Sequence, residues 1–164
     1  MSDGGCLIDL RTASLLEAFL ALPSEILIPN TLFAEGLSEF TLGQKKALVR
    51  SGLKVTDIPG NGVLRAREVI LANPRLSIHD SFAYVLAEAH KGCTLLTGDN
   101  RLRTLALTSK MAAQGLLWAV DLIHQNGHSA QACHKGLVEL SNDGVGRLAP
   151  RELAGAIKRF AALR

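Results

Sequence analysis

The stretch TLLTGDNRL, residues 94–102, decides how the chain is read. Thr94, Leu95 and Leu96 form a short apolar run of strand type, and the pattern turns helical again from Asn100. The strand runs out into Thr97, Gly98 and Asp99, so a carboxylate stands where open α/β sheets bind their ligands. An acid in that place has two readings. It caps the helix that follows, or it joins other acids around a cation.

Upstream, IHDSFAYVLAEAHKG (78–92) sets Phe82, Val85, Leu86 and Ala89 on one helical face and ends in glycine. Before it, SLLEAFLAL (14–22) predicts a helix with Ser14 and Glu17 spaced as a capping box. EILIP (25–29) reads as a short strand and NTLFAEGLSEF (30–40) as a helix capped by Asn30 or Thr31. LGQKKALVRSG (42–52) is an amphipathic helix, LKVTDI (53–58) a strand, residues 59–62 a turn, and VLRAREVILAN (63–73) a helix that stops before Pro74. Beyond Gly115 the pattern is helical, with Pro150 suited to the first turn of the last helix. Strands separated by helices imply a parallel sheet with crossovers. The expectation is one α/β domain over residues 1–164, with a helical C-terminal part from about residue 116.

The bulk composition agrees. The length, 164 residues, suits a single core, and 48 % hydrophobic against 20 % charged residues excludes a disordered chain. No apolar run reaches the length of a membrane span, and MSDGGCLIDL lacks the basic and apolar regions of a signal peptide. A cytoplasmic protein without membrane contact is expected. Cys6, Cys93 and Cys133 are odd in number and contain no C-x-x-C pair, which points to buried free thiols. Trp118, within LLWAVDLI, reads as core.

Four acids stand at element starts or strand ends: Asp99; Asp80, at the start of the helix before that strand; Glu35, one and a half turns beyond EILIP; and Asp3, at the head of the chain. Gathered in one crevice they would repel. Two carboxylates 4 Å apart cost about 4 kcal/mol at an effective dielectric of 20. An all-oxygen acidic cluster is what hard Mg²⁺ or Mn²⁺ prefers, so convergence predicts a divalent cation. Taken singly, each acid has a plainer role as a cap, a helix-dipole partner or a solvated side chain.

These residues resemble a PIN domain, the nuclease fold of VapC-type toxins and related endoribonucleases. LSIHDSFAYVLAEAHKGCTLLTGDNRLRTLA (76–106) is similar to the family's third acid at a helix start, Ala-rich helix, short strand and L-T-x-D. ILIPNTLFAEGL resembles the segment in which a strand ends in I-P and a helix brings the second acid. The resemblance implies a three-layer α/β/α sandwich around a parallel central sheet. It makes Asp3, Glu35, Asp80 and Asp99 the catalytic and metal-binding acids and gives Thr97 a metal-bound water. Only Met1 and Ser2 precede Asp3, so the first strand reads as shortened, and Asp9 is the alternative first acid if CLID forms the strand. Gly5 stands where the family usually has Asn or Ser.

The implied activity is metal-dependent hydrolysis of RNA by the toxin of a toxin–antitoxin pair, with an antitoxin protein and a second copy of the chain as partners. The alternative is a degenerate, non-catalytic PIN-like module that binds RNA or protein. Setting the four acids aside leaves 18 basic side chains against 11 acidic ones, enough to meet phosphate. Arg101 and Arg103 flank the last acid and are the first choices for RNA phosphate, ahead of Lys45, Lys46, Arg65 and Arg67. Aromatic residues at 4 % give little for base stacking. No G-x-S-x-G elbow is present, and His124, His128, Cys133 and His134 fit no standard zinc spacing.

Overall fold

The computed structural model describes residues 1–144 and 147–164. Short parallel strands pair as β1 (Ile26–Pro29) with β2 (Leu53–Thr56) and β3 (Thr94–Leu96) with β4 (Ala112–Gln114). Ile26 stands opposite Leu53, and Thr94 opposite Ala112. Residues 1–3 join the two ladders. The Met1 nitrogen donates to the Thr94 carbonyl at 3.1 Å, Leu96 N–H to the Met1 carbonyl at 2.7 Å and Asp3 N–H to the Leu96 carbonyl at 2.9 Å. On the other side, Ser2 N–H donates to the Leu27 carbonyl at 3.0 Å. The spatial order is β2, β1, residues 1–3, β3, β4, so the short first strand holds the central place.

Alternation along the strands sorts their side chains onto two faces. Ile26, Ile28, Leu53 and Leu96 pack with residues of α1 (Gly4–Thr12), α2 (Leu16–Leu20), α3 (Leu42–Arg50), α7 (Leu116–Gln125), α8 (Ala130–Asp143) and α9 (Pro150–Ala162). Met1, Leu95, Ala113 and the half-buried Leu27 pack with α4 (Gly60–Ala72), α5 (Ile78–Ala89) and α6 (Asn100–Thr108). This is the three-layer α/β/α arrangement. No helix among the described residues is long and apolar enough to cross a membrane.

Several local expectations change. CLID is helical within α1, which removes the strand that Asp9 needed as alternative first acid. Ser14 is left-handed at φ 55° and forms no capping box, because its hydroxyl donates to Glu139 at 3.2 Å and α2 starts without a side-chain cap. Capping boxes form instead at Thr41 with Gln44 and at Ser77 with Asp80. The helix expected over 30–40 contracts to a π-helical turn, Leu32–Gly36. Trp118 is 36 % exposed, because Leu116, Ala119, Val120 and Ile123 form the buried face of α7 and Trp118 lies off it.

Parallel strands bring all their carboxyl ends to one edge. Asp3 follows the central path and Asp99 follows β3. The crossover α5 must start at that same edge to return the chain to the beginning of β3, which carries Asp80 there too.

Candidate active site

A cleft of about 400 Å³ opens at this edge, lined by Asp3, Asp80 and Asp99 together with Gly5, Gly98, His79 and Arg147. Three of the four sequence-predicted acids are therefore brought together. Glu35 is not among the lining residues. The π-helical turn presents Leu32 and Gly36 to the cleft, and Glu35, one position from Gly36, is exposed to solvent.

Each of the three carboxylates is held by its own local structure. Asp3 is the N-cap of α1 and is buried. Its Oδ1 accepts from Cys6 N–H at 2.7 Å, and its Oδ2 accepts from the Thr97 hydroxyl at 2.5 Å and from Gly98 N–H at 3.2 Å. Asp80 closes the capping box of α5. Its Oδ2 accepts from Ser77 N–H at 3.1 Å and from the Ser77 hydroxyl at 2.7 Å. Asp99 is the N-cap of α6, with Oδ1 accepting from Arg101 N–H at 2.7 Å and Leu102 N–H at 3.0 Å. The capping reading and the site reading are thus compatible. Asp80 and Asp99 each spend one oxygen on a helix, and Asp80 Oδ1 and Asp99 Oδ2 accept no hydrogen bond among the described residues.

Thr97, fully buried, ties the group together. Its hydroxyl donates to Asp3 and accepts from Asp99 N–H at 3.0 Å. The hydroxyl proton thus goes to a carboxylate of the protein, and Thr97 acts on the geometry of two acids rather than standing open to water.

The donor set, all oxygen and threefold anionic, suits a hard divalent cation in kind. Among the described residues, however, no group of three His, Cys, Asp or Glu side chains is already arranged to hold an ion. The acids share a cleft without forming a closed coordination shell.

Burial pushes the Asp3 carboxyl above the ordinary 3.8, against the pull of its bonds from Thr97 and Cys6, and the Asp80 charge pushes it further up. The folded chain therefore holds that proton to higher pH than the unfolded chain does. Stability falls as pH rises from about the ordinary carboxylate value through the raised one. Asp9 shifts the same way by burial, opposed by Arg147. In chelator, the thermal midpoint of the wild type should decline over that window, and Asp3→Asn should flatten the decline. Melting curves from pH 4 to 8 on both proteins check it. Parallel curves would contradict it.

The sequence-predicted cations sit elsewhere. Arg101 donates to the Arg75 carbonyl at 3.4 Å. Arg103 turns inward, with Nη2 donating to the Thr97 carbonyl at 3.0 Å and Nε buried without a partner. Neither lines the cleft. Arg65 pairs with Glu88 and Glu68, and Lys45 donates to the Ala34 carbonyl. The cleft cation that sequence reasoning missed is Arg147, and the missed imidazole is His79, beside Asp80 in IHD. His79 Nδ1 is buried without a hydrogen-bond partner. The proximity of His79 to Asp80 in the sequence was a signal for the latter; nothing local marked Arg147.

A family model described as PIN domain matches residues 1–162. No curated protein matches the chain, and no solved structure does.

Proposed function

Because the chain belongs to the PIN-domain family, a family of nuclease type, we propose that it is a metal-dependent endoribonuclease acting as the toxin of a toxin–antitoxin pair. The observation that supports this most is the meeting of Asp3, Asp80 and Asp99 on one cleft at the carboxyl edge of the parallel sheet. Those three residues would supply ligands to Mg²⁺ or Mn²⁺, the carboxylates closing around the ion as it binds, with Glu35 left outside. A divalent ion held there would lower the pKa of water and offset charge on phosphoryl oxygens. The chain's own part is to position. The helix caps fix Asp80 and Asp99, and Thr97 fixes Asp3 against the start of α6. Attack of water on phosphorus with loss of the 3′ oxygen leaves a 5′ phosphate and a 3′ hydroxyl.

The test is incubation of the purified protein with a labelled single-stranded RNA. Cleavage with Mg²⁺, absence of cleavage in chelator, and 5′-phosphate ends support the reading. Cleavage indifferent to chelator, or none in either buffer, rejects it. The toxin role predicts growth arrest on induced expression, relieved by Asp99→Asn. An antitoxin protein and a homodimer belong to the same proposal.

One observation favours a second reading, a non-catalytic module that binds RNA or protein: the three carboxylates do not close around one ion. Tight RNA binding with no Mg²⁺-dependent product would select it.

A further inference from the structure

Arg147 is the one Lys or Arg among the described residues lining the cleft, and it comes from the connection between α8 and α9. Its Nη1 donates to Asp9 Oδ1 at 2.8 Å and to the Gly5 carbonyl at 3.2 Å. Two glycines make room for it. A Cβ on Gly5 would lie 2.8 Å from Arg147 Nε, and one on Gly98 would lie 3.3 Å from its Cβ and Cδ. Gly5 is therefore the residue over which this arginine passes.

Guanidinium–carboxylate pairs are frequently bidentate. This one gives Asp9 a single nitrogen. Nε and Nη2 have no hydrogen-bond partner among the described residues, and the side chain is 39 % exposed. Open donors of a permanent cation, on the rim of a cleft lined by three acids, suit an anion that must approach those acids. A planar guanidinium matches phosphate oxygens.

We propose that Arg147 binds an RNA backbone phosphate at the cleft and so positions the strand over the acids. The proposal rests on the ribonuclease reading for its substrate, and it gives the C-terminal helices a part in the site.

The test is RNA affinity. A fluorescent single-stranded RNA is titrated with protein across a range of salt, with Ca²⁺ in place of Mg²⁺ and gels confirming that the RNA stays intact. Arg147→Gln removes the charge and the guanidinium fork while keeping a neutral polar side chain. It should weaken binding about tenfold and lower the slope of log affinity against log salt by about 0.7, the loss of one phosphate contact on a single strand. Arg147→Lys should recover part of the affinity. Asp9→Asn, which removes the competing carboxylate charge and leaves the guanidinium in place, should bind at least as tightly as wild type. Unchanged affinity and slope in Arg147→Gln would overturn the proposal, as would an equal loss in Asp9→Asn, since the pair would then be structural. A wild type that binds no RNA would overturn both this proposal and the ribonuclease reading. Binding by the wild type with Arg147→Gln unaltered would overturn this one alone.

Discussion

Asp99→Asn should lose at least about a hundredfold in Mg²⁺-dependent RNA cleavage while melting within a degree or two of the wild type. Asparagine caps helices as well as aspartate does. Its side-chain oxygen can still accept from Arg101 N–H and Leu102 N–H, the two bonds that Asp99 Oδ1 makes at the start of α6. What it lacks is the charge and the second carboxylate oxygen, the one that accepts no hydrogen bond among the described residues. The hundredfold is a lower figure, because even partners behind a metal's direct ligands cost about 10–100-fold in affinity or activity when removed. Asp99→Ala is the companion variant. It removes charge and cap together and should cost a further ~1 kcal/mol of stability. Cleavage rates and melting curves on the pair separate the two roles. Wild-type cleavage by Asp99→Asn would reduce Asp99 to a helix cap.

The largest effect on stability is expected at Gly136, in the middle of α8. A Cβ there would lie 2.3 Å from the Ala13 carbonyl oxygen and 3.2 Å from the Leu15 side chain. Backbone cannot yield as a side-chain tip can, so α8 would have to move away from the chain at residues 13–15. Overpacking of this kind costs about 1–3 kcal/mol, and a clash with main chain belongs at the upper end. For a chain of this length that is a fall of roughly 6–12 °C in the thermal midpoint. The sign is diagnostic. On an open helix face, Gly→Ala would stabilise by about 1 kcal/mol through helix propensity alone. A rise in midpoint for Gly136→Ala would mean that α8 does not pack this closely on the first layer.

The fold was legible where local pattern and tertiary role coincide. Leu95 and Leu96 alternate between the two faces of the sheet, and Asp99 follows at the carboxyl edge, as TLLTGDNRL implied. IHDSFAYVLAEA carries its buried face in sequence, and Asp80 reaches the cleft because a crossover helix has to start there. Other features were hidden by their brevity. β4 consists of Ala112, Ala113 and Gln114, too little hydrophobic surface to signal a strand. Residues 1–3 act as a strand through bonds to Leu27, Thr94 and Leu96, which lie far along the chain. GGCLIDL gave no periodic sign of a helix, because both faces of α1 are largely buried and the apolar stripe is not confined to one side. Glu35 was misplaced by helical arithmetic. A π-helical turn takes more residues per turn than the α-helix assumed for it, and Leu32 and Gly36 take the inward positions. Arg147 escaped because its partners are Gly5 and Asp9, joined to it by folding and not by spacing.

The proposal on which the ribonuclease reading depends is that Asp3, Asp80 and Asp99 draw one divalent ion into the cleft they line. Calorimetric titration of Mn²⁺ into the chelator-stripped protein at pH 7.5, repeated on Asp3→Asn, Asp80→Asn and Asp99→Asn, tests it directly. The account predicts one site per chain, weakened at least about tenfold by each substitution. Absence of binding, or binding that all three variants retain unchanged, would contradict it.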